Sequence, residues 1–211
     1  MQIAMVVYDR FTALDVVGPY EVLSRLPDVH IDFVAEKAGP VRTETGFLAL
    51  TADKALEEVP HPDAVVVAGG PGTFAQAENK ALLDWLRAVD AGTTWTTSVC
   101  SGSLLLAAAG LLRGRRATCH WLAADFLRQY GAEPTGERVV TDGKYVTAAG
   151  VSSGIDMGLA LVGRIAGDEH AQAVQLMIEY DPQPPYDAGS PQKAPAHLVQ
   201  EFRTKSRFTL T

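Results

Sequence analysis

Apolar residues in this chain fall into short continuous runs that alternate with segments spaced at helical intervals. Ile3 to Tyr8 is one such run, the pattern of a central parallel strand buried on both faces. Leu14, Val17, Val22, Leu23 and Leu26 then recur at broadly helical spacing and predict a helix over Leu14–Leu26. Val29–Val34 reads as a second strand and Phe47–Leu50 as a short one after a polar turn. Ala64–Ala68 is a third buried strand, stopped by Gly69-Gly70-Pro71-Gly72. Ala81–Val89 has an amphipathic helical pattern, Trp95–Val99 a strand pattern, and the apolar run Leu104–Leu112 that of a buried helix. Ala117–Cys119, a helix from about Trp121 to Tyr130, and paired strands at Arg138–Thr141 and Tyr145–Ala148 follow. Helices over Ser153–Ile165 and Glu169–Tyr180 come next, and Asp181–Pro195, rich in proline, glycine and serine, reads as coil wrapped on the surface.

Strands alternating with helices imply parallel pairing through right-handed crossovers. The expected architecture is therefore α/β: a three-layer, flavodoxin-like sandwich with a mostly parallel sheet and helices on both faces. One domain over 1–211 is expected, with a Pro/Gly-rich C-terminal segment from about 181. Ligands of such sheets gather beyond the carboxyl ends of the strands. Three loops share that edge here, Phe11–Pro19, Gly69–Thr73 and Val99–Ser103, and the first strand and the Trp95–Val99 strand are expected to lie side by side.

Composition narrows the classes. The 211 residues are 47% hydrophobic and 20% charged, with a net charge of −7 and no Lys/Arg-rich block beyond Arg113-Gly114-Arg115-Arg116. Nucleic acid and anionic membrane surfaces are thus poor partners, and that short cluster reads as the end of a helix entering the next strand. The Met1–Tyr8 start lacks the basic region of a secretory signal, and no apolar run approaches the roughly 20 residues that span a bilayer. A cytoplasmic setting is expected, in which the two cysteines, Cys100 and Cys119, are free thiols. The five histidines and two cysteines have no metal-ligand spacing, so no metal is expected.

The segment Thr96-Thr97-Ser98-Val99-Cys100-Ser101-Gly102-Ser103 carries the chemistry. It reads as a buried strand ending abruptly at Cys100 with a helix starting immediately after, a nucleophile-elbow arrangement. The partial positive charge of a helix N-terminus lowers a thiol pKa from its usual value near 8.5, each unit being worth about 1.4 kcal/mol of thiolate stabilisation. A buried structural cysteine is the bland alternative; the small residues after Cys100 are expected to open space around the sulfur instead. Asp15, between apolar neighbours, is an ordinary helix-start charge or a partly buried carboxyl suited to acid/base work, and it is expected to reach Cys100. Gly69-Gly70-Pro71-Gly72 lacks both phosphate-loop spacings. The expectation there is that the backbone N–H groups of Gly70 and Ser101 face charge developing on a substrate at Cys100, with the Ser101 hydroxyl nearby. His120 reads as a packed, hydrogen-bonded histidine at a helix start, behind the reacting groups rather than a direct base, and Cys119 as buried filler.

Taken together, the segments Leu14–Pro19, Ala68–Gly72, Ser98–Ser103, Arg116–Trp121, Gly154–Asp156 and Glu179–Pro191 resemble the ThiJ/PfpI superfamily along essentially the whole chain. The resemblance implies a nucleophilic Cys100 with Asp15 beside it, no cofactor, a small-molecule substrate and a homodimer. The tail points to the subgroup that hydrates isonitriles to N-substituted formamides. Proteases and glyoxalases of the superfamily usually have Glu in place of Asp15 and often His in place of Ser101, whereas the isonitrile subgroup usually has Thr there. Two other readings are a cysteine enzyme acting on carbonyls or peptides, and a cysteine-based redox or ligand sensor like the domains fused to DNA-binding regions in AraC-type regulators. An ending at Thr211 leaves no length for such a region after the tail and weighs against the regulator reading.

Overall fold

The computed structural model describes residues 1–206. In chain order the elements are β1 (Gln2–Val6), α1 (Ala13–Leu23), β2 (His30–Ala35), β3 (Gly39–Arg42), β4 (Ala49–Ala52), β5 (Lys54–Ala55) and β6 (Ala64–Val67). Next come α2 (Thr73–Gln76), α3 (Lys80–Asp90), β7 (Trp95–Val99), α4 (Gly102–Ala108), β8 (Arg116–Ala117) and α5 (Ala124–Gln129). The remainder are β9 (Glu133–Pro134), β10 (Val139–Asp142), β11 (Tyr145–Ala148), α6 (Ser153–Ala166), α7 (Asp168–Met177) and α8 (Ala196–Thr204).

The central sheet has seven strands in the order β10-β11-β7-β6-β1-β2-β5. Every neighbouring pair runs parallel except β10–β11, a hairpin that closes one edge antiparallel. The expected mostly parallel α/β sandwich is what the chain forms. β1 and β7 are not neighbours, however: β6 lies between them and pairs with both. Continuous apolar runs cannot report strand order, because each central strand is equally buried on both faces.

Helix packing follows from the sequence locally. Asn79 caps α3 by accepting from the N–H groups of Ala81 and Leu82 at 3.1 and 3.3 Å, and the helix buries Leu82, Leu83, Trp85, Leu86 and Val89 on one face. α1 crosses α6 closely because Gly158 faces Val22, where a Cβ would sit 2.9 Å from the valine Cβ. α4 is shorter than its apolar run: it starts at Gly102 and stops at Ala108, before Gly110 turns the chain with φ +84°. The strand expected at Phe47–Leu50 lies at Ala49–Ala52, and Phe47 sits 94% exposed on the connection from β3. From Asp181 to Pro195 the backbone is irregular, as its composition implied, and α8 follows it.

Candidate active site

Cys100 sits where β7 passes into α4, with φ +60°, a left-handed conformation uncommon for a residue with a side chain. Its N–H is held from the neighbouring strand end, donating to Ala148 O at 3.1 Å and Ala149 O at 2.9 Å. Those bonds pin the turn that α4 requires. Gly102 is the other half of the arrangement, since a Cβ there would stand 2.2 Å from Val67 O and 2.7 Å from Ala68 O. Backbone meets backbone at that point.

The small residues after Cys100 therefore do not open space around the sulfur. They let the elbow pack against the end of β6, and Cys100 is 0% exposed. This corrects the expectation of open space around the sulfur.

Asp15 lies in the first turn of α1 and is also 0% exposed, so its burial exceeds what its apolar neighbours suggested. Its Oδ2 accepts from the Gly69 N–H at 2.9 Å. On the other side of Gly69, a Cβ would lie 2.9 Å from Cys100 Cβ and 2.4 Å from Ser101 N. The missing side chain of Gly69 is what lets the α1 loop and the elbow face one another across the end of β6. Both Asp15 and Cys100 act on a further group. Burial raises the Tyr8 hydroxyl well above its usual pKa near 10; the Thr73 hydrogen bond opposes this, and the charges of Asp15 and Cys100 add to it. A phenol so placed stays protonated.

Tyr8 starts a chain of buried hydroxyls that the sequence did not reveal. Its O–H donates to Ala68 O at 2.7 Å; its oxygen and Thr73 Oγ1 are 2.9 Å apart, and Thr73 Oγ1 and Ser101 Oγ are 2.8 Å apart. Because Tyr8 gives its one proton to Ala68, it accepts from Thr73, which in turn accepts from Ser101. Gly70 N–H closes the chain by donating to Ser101 Oγ at 2.9 Å. That bond corrects the expectation for Gly70, whose N–H is taken by the serine hydroxyl instead of facing a substrate. The Ser101 hydroxyl is likewise a latch between the glycine loop and the elbow. The signal that could have found Tyr8 and Thr73 is positional: each is a hydroxyl residue at the carboxyl edge, one closing the β1 run and one directly following the glycines.

His120 caps the turn before α5, its Nδ1 accepting from Leu122 N–H at 3.3 Å, which leaves the proton of the neutral ring on Nε2. The ring lies against the loop beyond β11, where a Cβ on Gly150 would meet its Cδ2 at 2.8 Å. Val151, next in that loop, has φ +35°. Burial pushes the Cys119 thiol up to about 12, the Asp125 charge adding to the effect, and its S–H donates to His120 O at 3.2 Å. Its place as buried filler fits these contacts. Arg115 and Arg116, the basic cluster, pair with Asp142 and Glu137. Among the described residues no group of three or more His, Cys, Asp or Glu could hold a metal ion, and no helix is long and apolar enough to cross a membrane.

Fold and site together define an α/β sandwich with a cysteine on a strained strand-to-helix turn at the carboxyl edge of its sheet. Residues 1–164 match the DJ-1/PfpI family, and the chain belongs to it. It is 43% identical over 210 residues to the isonitrile hydratase of Pseudomonas putida, covering 100% of this chain and 92% of that enzyme. A ThiJ/PfpI family protein from Pseudomonas syringae, a solved structure, superposes with a TM-score of 0.94 at 40% identity, over 97% of this chain and 85% of that one. The HTH-type transcriptional regulator CdhR of Pseudomonas aeruginosa is 32% identical over 171 residues, which are 78% of this chain and 50% of the regulator.

Proposed function

We propose that this protein hydrates isonitriles to N-substituted formamides, with Cys100 as nucleophile and Asp15 as the proton carrier. The observation that carries the reading is the pairing of a strained, buried cysteine with a buried aspartate across the bare backbone of Gly69. Similarity to an isonitrile hydratase along the whole chain supports it.

The chemistry suits the geometry in two ways. An isonitrile, R–N≡C, is a linear rod with its electrophilic carbon at the tip, so it needs less clearance at a buried sulfur than a peptide carbonyl does. Attack by sulfur also leaves the electron pair on that carbon, which calls for a proton and not for an oxyanion hole. A Gly70 N–H committed to Ser101 is then no loss.

In the proposed sequence Asp15 takes the thiol proton and delivers it to the carbon as the S–C bond forms, giving a thioimidate, R–N=CH–S–Cys100. Water then adds to that carbon while Asp15 moves a water proton toward nitrogen. The C–S bond breaks, the formamide R–NH–CHO leaves, and the thiol is reprotonated. The net change is addition of one water, with no cofactor step. The working assembly proposed is a cytoplasmic homodimer acting on a small molecule.

The test is conversion of phenyl isonitrile to N-phenylformamide, followed by chromatography. Cys100→Ala is expected to abolish turnover and Asp15→Asn to lower kcat at least about 100-fold. Formamide formation by Cys100→Ala at the wild-type rate would sink the mechanism. A second reading, a ligand- or redox-sensing module, is favoured by the match to one half of a transcriptional regulator. No turnover of any isonitrile, with oxidation of Cys100 changing the oligomer, would put that reading first. Turnover of methylglyoxal alone would instead favour a glyoxalase.

A further inference from the structure

Beside the elbow lies a cavity of about 580 Å³, a size typical of small-molecule sites. Its wall includes Ala149 and Gly150, and Ala149 O is one of the two acceptors that hold the Cys100 N–H. The cavity thus shares a peptide with the candidate catalytic turn, although it is far larger than the N≡C group alone requires. Two aromatic rings line it, those of His120 and Trp121, with centroids 6.0 Å apart and planes 27° from parallel. The tail, through Gly189–Gln192, and α8, through Arg203, close the far side.

Among the described residues two guanidinium groups border this space, and they differ. Arg138 is already neutralised, its Nε donating to Asp156 Oδ2 and its Nη2 to Ser152 Oγ at 3.3 Å. Tyr180 donates to the other oxygen of Asp156 at 2.7 Å, which anchors the root of the tail to the same carboxylate. Arg203 has no acidic partner among the described residues; its guanidinium lies over the Trp121 ring, 6.0 Å from the centroid. A guanidinium beside an indole ring spends none of its N–H donors on that contact, so they stay available to a ligand. In a chain of net charge −7, a cation held at a cavity wall is a local exception to the overall field.

We propose that this cavity receives the N-substituent of the isonitrile, and that Arg203, seated on Trp121, selects flat substituents ending in a carboxylate. The planar fork of arginine matches a carboxylate with two parallel hydrogen bonds, a geometry neither lysine nor a backbone amide reproduces. This deepens the hydratase reading and rests on it for the identity of the reacting group, but the carboxylate preference can be read separately.

The experiment compares 4-isocyanobenzoate with phenyl isonitrile, and measures binding of the product 4-formamidobenzoate by quenching of tryptophan fluorescence. The ratio of kcat/KM for the carboxylated over the uncharged substrate is expected to be at least about 10, and to fall about tenfold in Arg203→Met with partial recovery in Arg203→Lys. Product binding is expected to weaken by the same factor in Arg203→Met. A ratio near unity in the wild type, or equal losses for both substrates in Arg203→Met, would overturn the inference while leaving the hydratase reading intact. If neither isonitrile reacts but product binding still depends on Arg203, the hydratase reading fails and the carboxylate site stands. Binding indifferent to Arg203 in that case overturns both.

Discussion

Cys100 and the residues around it show how far a single position can be read. That Cys100 ends a strand and begins a helix was legible, since an apolar run breaking at Cys-Ser-Gly-Ser leaves few alternatives. What the small residues are for was not. Gly69 and Gly102 look like loosening, yet each marks a place where two backbones touch and a methyl group has no room. Gly102→Ala places a carbon against two carbonyl oxygens that cannot move without disturbing β6, so it should destabilise the fold by about 3 kcal/mol or more. Urea denaturation measures this; a midpoint unchanged from the wild type would contradict the packing described here. Ser101 makes the same point through hydrogen bonding, because its hydroxyl is spent on Gly70 and Thr73, partners supplied by another part of the chain.

Elements were legible where their periodicity was long. α3, with Asn79 as cap and a full apolar face, and β7, whose limits coincide with Trp95–Val99, follow from their own residues. β3, β5 and α2 escaped because two to four residues carry no period, and they exist only by pairing or packing with something distant. The crossing from β8 to α5 offers a pH test. Burial holds the Cys119 thiol neutral up to about 12, against about 8.5 in an unfolded chain. A folded-state pKa raised in this way contributes stability that is complete below about pH 8.5 and is lost as pH climbs toward 12. Cys119→Ala should therefore lose stability less steeply than the wild type across that window, as seen in urea midpoints at successive pH values. Parallel slopes for the two proteins would show that the thiol does not contribute. Tyr8 and Tyr145, the latter pushed to about 12 by burial and its bond to Asp90, keep part of the alkaline slope in both.

On the scale of the whole molecule, the sheet is tied together at its two ends in different ways. The carboxyl edge carries the hydroxyl chain from Tyr8 to Ser101, and the opposite edge is joined through Asp90 at the end of α3. Asp90 accepts from Thr96 Oγ1 at 2.6 Å and Tyr145 O–H at 2.9 Å, and pairs with Lys144 at 3.2 Å, linking α3 to β7 and β11. Asp90→Ala leaves those donors without their shared acceptor and should cost about 3 kcal/mol, read as a lowered Tm with the urea m-value unchanged. A Tm within a degree of the wild type would show the network to be dispensable. By itself the sequence determined the alternation of strands and helices, the edge on which the loops gather, and the residue types at the turn, because these depend on local periodicity and on the few residues that permit sharp turns. Tertiary structure alone decided that β6 separates β1 from β7, that Asp15 and Cys100 both come up against Gly69, and that the Gly70 N–H belongs to Ser101. Each of these is a relation between segments far apart in the chain, and side-chain spacing along a strand records which faces are buried but not which neighbour buries them.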